Sequence, residues 1–167
     1  MSARARIVAL REGGAGDLAA VSAIMVAAFD PRFGEAWTPS QCLGILSLPG
    51  VWLTLAEVDG DSEPAAFALS RVAGGEAELL LLATAPTRRR QGIAALLLRS
   101  VIEDARRRGA EAIHLEVRSA NPACRLYRAE GFVKVGARRA YYRGNAGERF
   151  DAETFSLSLN ATYSPTK

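Results

Sequence analysis

Two spacings of apolar residues take turns along this chain. Helical spacing puts Leu18, Val21, Ile24, Met25 and Ala28 on one stripe, between Asp17, which suits an N-cap, and Phe29. The same spacing returns in Ile93, Leu97, Val101 and Ala105, widened by Leu98 and Ile102. It predicts a helix from about Gln91 to Arg108, closed by Gly109. Two shorter helices are expected. One starts at Thr38-Pro39 and carries Cys42, Ile45 and Leu46; the other runs from Asn121-Pro122 to Gly131. Strand-like runs occupy 5–11, 51–58, 64–72, 76–84, 111–118, 132–142 and 150–159. Turn residues separate them at Pro49-Gly50, Asp59-Gly60-Asp61, Gly74-Gly75 and 144–148. The order β-α-α-β-β-β-α-β-α-β-β predicts an α/β (α+β) fold in one domain over 1–160, with 161–167 as a loose tail. Three successive strands on short turns suggest an antiparallel meander. The helix between 76–84 and 111–118 lets that pair run parallel.

The apolar run Leu79 to Ala83 ends at Thr84 and is followed by Pro86, three arginines and Gly92. The first amides of a helix have no intrahelical partners and lie at the positive end of its dipole. Gly92 and Ala94 leave that end bare, and Arg89 and Arg90 add charge, so Arg89-x-x-Gly92-x-Ala94 fits a pyrophosphate. No P-loop ending and no G-x-G-x-x-G is present. A solvated basic loop before an ordinary helix is the other account.

With 49% apolar and 23% charged residues, the 167-residue chain can bury a proper core. It has no apolar run long enough for a membrane span and no secretory leader, so a cytoplasmic protein without membrane contact is expected. Two cysteines do not make a disulfide framework, and with one histidine they are too few for a zinc site, so no metal is expected. Net charge is +3, with basic clusters at 88–90, 106–108 and 138–139. No aromatics interleave with them and 18 acidic residues balance them, so nucleic-acid binding is not expected. Arg106–Arg108 reads as a dipole-favoured helix end.

The stretch Arg89-x-x-Gly92-x-Ala94 resembles the acyl-CoA loop, Q/R-x-x-G-x-G/A, of the GNAT superfamily of N-acetyltransferases. A second anchor is Leu115-Glu116-Val117-Arg118-Ser119-Ala120-Asn121, then Leu126-Tyr127, Gly131-Phe132 and Arg138-Arg139-Ala140-Tyr141-Tyr142. It is similar to the RimI-like branch, the ribosomal-protein-alanine N-acetyltransferases. The resemblance runs from about residue 76 to 159 and is loose before that. It implies a GNAT fold: a mixed, mostly antiparallel seven-stranded sheet with about four helices, whose parallel strands 76–84 and 111–118 splay apart. It also implies acetyl-CoA as acetyl donor and direct transfer to an amine in a ternary complex. The backbone of Leu82, Ala83 and Thr84 would hold the acetyl carbonyl and pantetheine arm. Arg89, Arg90, Gln91, Gly92, Ile93, Ala94 and Ala95 would hold the phosphates, and Asn121 would contact the cofactor. The acceptor implied is a protein N-terminus, possibly of a ribosomal protein. A small-molecule amine and a non-catalytic acyl-CoA-binding module are the alternatives.

Residue chemistry supports two of these roles. An α-amine with a pKa of about 8 is mostly protonated near neutrality and must lose a proton before it attacks a thioester. Glu116 can take that proton, directly or through water, and the resemblance assigns it as the base. Tyr127 can give a proton to the departing thiolate, or else fill the core. Asn121 can also serve as an N-cap. Cys124 lies in a helical first turn, where a thiolate is favoured, but no histidine accompanies it. His114 shares a strand face with Glu116 and reads as a paired or exposed structural histidine. The Asp30–Trp37 loop follows no assignable pattern, and loops of this kind set acceptor choice.

Overall fold

The computed structural model describes residues 6–160. Its seven strands are β1 (Val8–Gly13), β2 (Val51–Val58), β3 (Ala66–Ala73), β4 (Glu76–Thr84), β5 (Ala112–Arg118), β6 (Val133–Arg143) and β7 (Arg149–Ser158). They form one sheet in the order β1-β2-β3-β4-β5-β7-β6. Every neighbouring pair is antiparallel except β4–β5. The four α-helices are α1 (Leu18–Ala28), α2 (Pro39–Leu46), α3 (Ile93–Arg107) and α4 (Ala123–Ala129). The expected tail 161–167 lies outside the described residues, as does Ala5 of the first predicted strand.

Each face of the sheet has its own core. On one face α3 and α4 bury Ile93, Leu97, Leu98, Val101, Cys124 and Tyr127 against Trp52, Ala66, Ile113 and Leu115. On the other, α1 and α2 bury Val21, Ile24, Met25 and Cys42 against Leu53, Leu55, Phe67 and Leu69. Strands covered on both sides read as nearly unbroken apolar runs, as β2 does. Each fully buried Leu, Ile or Val contributes about 1.5–3 kcal/mol, so the α3 stripe alone anchors the crossover firmly.

Most helix ends follow the sequence. Thr38 and Gln41 form a reciprocal capping box, with Thr38 N–H to Gln41 Oε1 at 2.8 Å and Gln41 N–H to Thr38 Oγ1 at 3.2 Å. Gly109, at φ +82°, ends α3 by donating to Arg106 O at 2.9 Å. Asp17 differs from expectation. Its carboxylate accepts from Gly14 N–H and from Arg11 rather than from the first amides of α1, because a single 3-10 turn, Ala15–Asp17, intervenes.

One irregularity shapes the molecule. Leu69 faces Leu81 across the β3–β4 pair, while Ser70 faces Leu79, so Leu80 is an extra residue in β4. Leu79 consequently packs under α3, and Leu81 packs on the α1–α2 side. A bulge of this kind bends its strand and sharpens the twist. β4 and β5 pair only over Glu76–Glu78 with Ala112–His114, then part. Beyond that point β5 continues on β7 alone.

Candidate active site

The parted strands open a cleft of about 670 Å³. Leu79–Thr84 of β4 and Leu115–Arg118 of β5 form its sides, the start of α3 one end, and the loop between α1 and α2 the other wall. Because β4 has no β5 partner past Glu78, the backbone of Leu82, Ala83 and Thr84 lies along the cleft with its sheet edge free.

At the α3 end, Gly92 is the N-cap at φ +77°, with no side-chain hydrogen bond covering the helix start. Arg90 is also left-handed, at φ +61°. The helix therefore starts at Ile93, two residues later than the pattern suggested, because two left-handed residues shape the turn. Arg89, Arg90, Gly92, Ile93, Ala94 and Ala95 all line the cleft. Gln91 does not: it borders a separate depression with Arg6, Val8, Val58 and Arg88. Arg88 is held by Asp61, and Arg89 Nη2 donates to the carbonyl of Ala28 at 2.9 Å, so Arg89 also finishes the end of α1.

Glu116 lines the cleft from β5, with its side chain 13% exposed. Thr154, its cross-strand partner on β7, donates its hydroxyl to Glu116 Oε2 at 2.8 Å. Arg138 Nε lies 3.0 Å from Oε1. Tyr142 donates its hydroxyl to the backbone carbonyl of Glu116 at 3.2 Å. The carboxylate is thus oriented by one hydroxyl hydrogen bond and one ion pair.

Tyr127, on α4, also lines the cleft. Its ring packs edge-on against Phe132, with centroids 5.9 Å apart, and tilted against Phe155 at 6.3 Å. Burial pushes its phenol well above the ordinary value, with smaller contributions from Cys124 and Glu35, so it stays protonated. Cys124 departs from the helix-dipole expectation: burial, then the charge of Glu153, raises its thiol pKa and favours the inert form. His114 Nε2 meets Glu76 Oε2 at 2.5 Å at the base of the splay, away from the Glu116 carboxylate's own partners. Asn121 lies one residue before the N-cap, Pro122. Its Oδ1 accepts from Ala123 N–H at 2.9 Å, and its Nδ2 donates to Glu35 at 3.0 Å.

A model of the acetyltransferase (GNAT) family matches residues 18–132. The chain belongs to that family. Over 97 residues it is 38% identical to the [ribosomal protein bS18]-alanine N-acetyltransferase of Escherichia coli K12; the match covers 58% of this chain and 65% of that relative, a little under two thirds. It is also 36% identical over 98 residues to a streptothricin acetyltransferase of Streptomyces lavendulae, covering 57% of this chain and 52% of that one. The crystal structure of the ribosomal-protein-S18-alanine N-acetyltransferase from Escherichia coli superposes with a TM-score of 0.80 at 27% identity, covering 96% of this chain and 99% of that one.

Several residues of this GNAT cleft escaped the sequence. Thr154 could be placed opposite Glu116 only once the β5–β7 register was known. Arg138 stood out as part of a motif, yet its approach to Glu116 could be read only from the β6–β7 register, which shifts between Lys134 and Gly136 before reaching it. Phe33, Glu35 and Trp37 line the cleft from a loop whose only regular turn is Pro31–Phe33. Within the described residues, no helix is long and apolar enough to cross a membrane.

Proposed function

We propose that this chain is an N-alpha-acetyltransferase that moves an acetyl group from acetyl-CoA to a protein N-terminal amine, of the ribosomal-protein-alanine type, by direct transfer in a ternary complex. The observation that carries it is the polarity of the one cleft: a bare, arginine-flanked helix start lies at one end and an oriented carboxylate, Glu116, is set beside it on the parted strand.

The cleft fits the donor on its own features. A pyrophosphate suits the uncapped start of α3, where Arg89, Arg90, Gly92, Ile93, Ala94 and Ala95 gather. The free edge of β4 at Leu82, Ala83 and Thr84 offers backbone groups to an amide-bearing arm. Asn121 keeps one Nδ2 hydrogen for a donor contact after bonding Glu35. Acetyl-CoA supplies the acetyl group as an activated thioester. Glu116 takes the proton that the acceptor ammonium must lose, while Thr154 and Arg138 hold the carboxylate in place. Tyr127 carries a proton at Oη for the leaving sulfur, and its raised pKa keeps that proton in place at any working pH. Cys124, buried as a thiol, takes no covalent part.

The test is transfer to a peptide beginning Ala-Arg, followed by mass spectrometry, together with the N-termini of ribosomal proteins from cells lacking the gene. An acetylated α-amine in vitro and a newly free alanine N-terminus in those cells are expected. The likeness to the streptothricin enzyme supports a second reading, a small cationic amine as acceptor. Acetylation of a polyamine or an amino antibiotic, with every peptide untouched, replaces the first reading with the second.

A further inference from the structure

The loop between α1 and α2 is almost without regular structure, yet it forms one wall of the cleft. Three contacts hold it. Its backbone touches the β6–β7 turn directly: Asn145 N–H donates to Pro31 O at 3.2 Å, and a Cβ added to Gly34 would lie 1.9 Å from Arg143 O. Phe33 is sandwiched, with the Arg118 guanidinium 3.7 Å from its ring centroid and Phe150 edge-on at 5.1 Å. Glu35 makes the third contact and reaches to the opposite side. Its Oε1 accepts from Arg118 Nε at the end of β5 and from Asn121 Nδ2 before α4, each at 3.0 Å. The Glu35 and Arg118 side chains are only 9% and 11% exposed, so little solvent competes for this pair.

The first two contacts join the loop to β6, β7 and the face of Arg118. Glu35 alone brings charge to charge, and it fixes the guanidinium on which Phe33 lies. Removing the carboxylate frees Arg118 and Asn121 together and leaves a buried cation without its counter-ion.

We propose that Glu35 is the positioning residue for the acceptor: it locks the Asp30–Trp37 wall onto Arg118 and Asn121, and so sets the shape of the acceptor entrance without taking part in proton transfer. This rests on the acetyltransferase function proposed above. The wall governs how well an amine is received, so its loss shows in acceptor KM. The donor end is built mainly from β4 and the start of α3, with Asn121 the one proposed donor contact that Glu35 touches, so the donor's affinity changes less than the acceptor's.

The test compares wild type with Glu35→Ala and Glu35→Gln, using the best acceptor peptide. Gln keeps a neutral acceptor for Arg118 and Asn121, so it both guards against misfolding and predicts a graded effect. Acceptor KM is expected to rise by roughly 10- to 100-fold in Glu35→Ala, the scale of a lost charge-assisted hydrogen bond, and by less in Glu35→Gln. Acetyl-CoA affinity by calorimetry should stay within about threefold, since Asn121 alone among its proposed contacts meets Glu35. Hydrogen exchange at the Asn145 amide, protected by Pro31 O, should quicken in both variants. An unchanged KM, a parallel fall in acetyl-CoA affinity, or unchanged exchange at Asn145 overturns the proposal. If the wild type transfers acetyl to no amine, the function fails instead, and exchange at Asn145 alone decides whether Glu35 holds the wall.

Discussion

Replacing Glu116 with glutamine removes a base while preserving its shape. The amide can still meet Thr154 Oγ1, and the Tyr142 bond to the backbone carbonyl is untouched. The ion pair lost involves Arg138, whose side chain is 61% exposed, so the change in stability should stay within about 1 kcal/mol. Any large loss of rate is then chemical. A positioned general base contributes about 10²–10⁴-fold, or about 2.7–5.4 kcal/mol of barrier. The loss should also depend on pH in one direction. An α-amine of pKa about 8 is roughly one-tenth free at pH 7 and nine-tenths free at pH 9, so a variant that can use only free amine recovers about tenfold over that range. Initial rates of thiol release with saturating acetyl-CoA and an Ala-Arg peptide, from pH 6.5 to 9.5, measure both quantities. Wild-type activity at pH 7 refutes the assignment. A deficit that stays constant to high pH in a variant with an unchanged melting temperature refutes the proton-removal argument.

Tyr127→Phe should lose activity at every accessible pH, because burial raises the phenol's pKa and high pH cannot imitate its proton; recovery at pH 9 in the same assay counts against it as the acid. Cys124→Ala should keep most activity, and intact mass should show no acetylated enzyme when acceptor is withheld; a competent acetyl-Cys124 overturns direct transfer. Gly92→Ala should weaken acetyl-CoA binding modestly, since its φ of +77° costs an L-residue about 1–2 kcal/mol although the space beside it is open. Gly92→Glu should weaken binding much more by adding negative charge, with circular dichroism unchanged; equal affinity in calorimetry places the pyrophosphate elsewhere.

The elements that the sequence makes legible are those whose side chains report their surroundings. The α3 stripe buries six apolar residues at helical spacing, and β2 is apolar but for Thr54 and Glu57 because both its faces are covered. Thr38 with Gln41, and Gly109, mark helix ends by local chemistry that any reader of the chain can apply. The bulge at Leu80 leaves no such mark. Four leucines in a row satisfy either face equally, so the switch from Leu79 under α3 to Leu81 beneath α1 and α2 is invisible in the letters. Glu35 and Arg118 are equally mute, since 83 residues separate them and only the folded loop brings them together.

Residues open to either a structural or a chemical reading are placed by the fold where both remain available. Asn121 was open to both roles, and the fold uses it by atom: Oδ1 steadies the start of α4 through Ala123 N–H, while Nδ2 faces Glu35 at the cleft. Arg89 gives one donor to Ala28 O and borders the cleft with the rest of its guanidinium. Tyr127 is core by its ring, against Phe132 and Phe155, and cleft by its remaining surface. Packing makes these groups rigid, and rigidity is what a group needs if it is to meet a reacting atom without reorganising. Truncation to alanine at such a position removes scaffold and chemistry together, and its loss of activity assigns neither. Only substitutions that keep the packed part and delete the exposed atom, Tyr127→Phe above all, can separate the two.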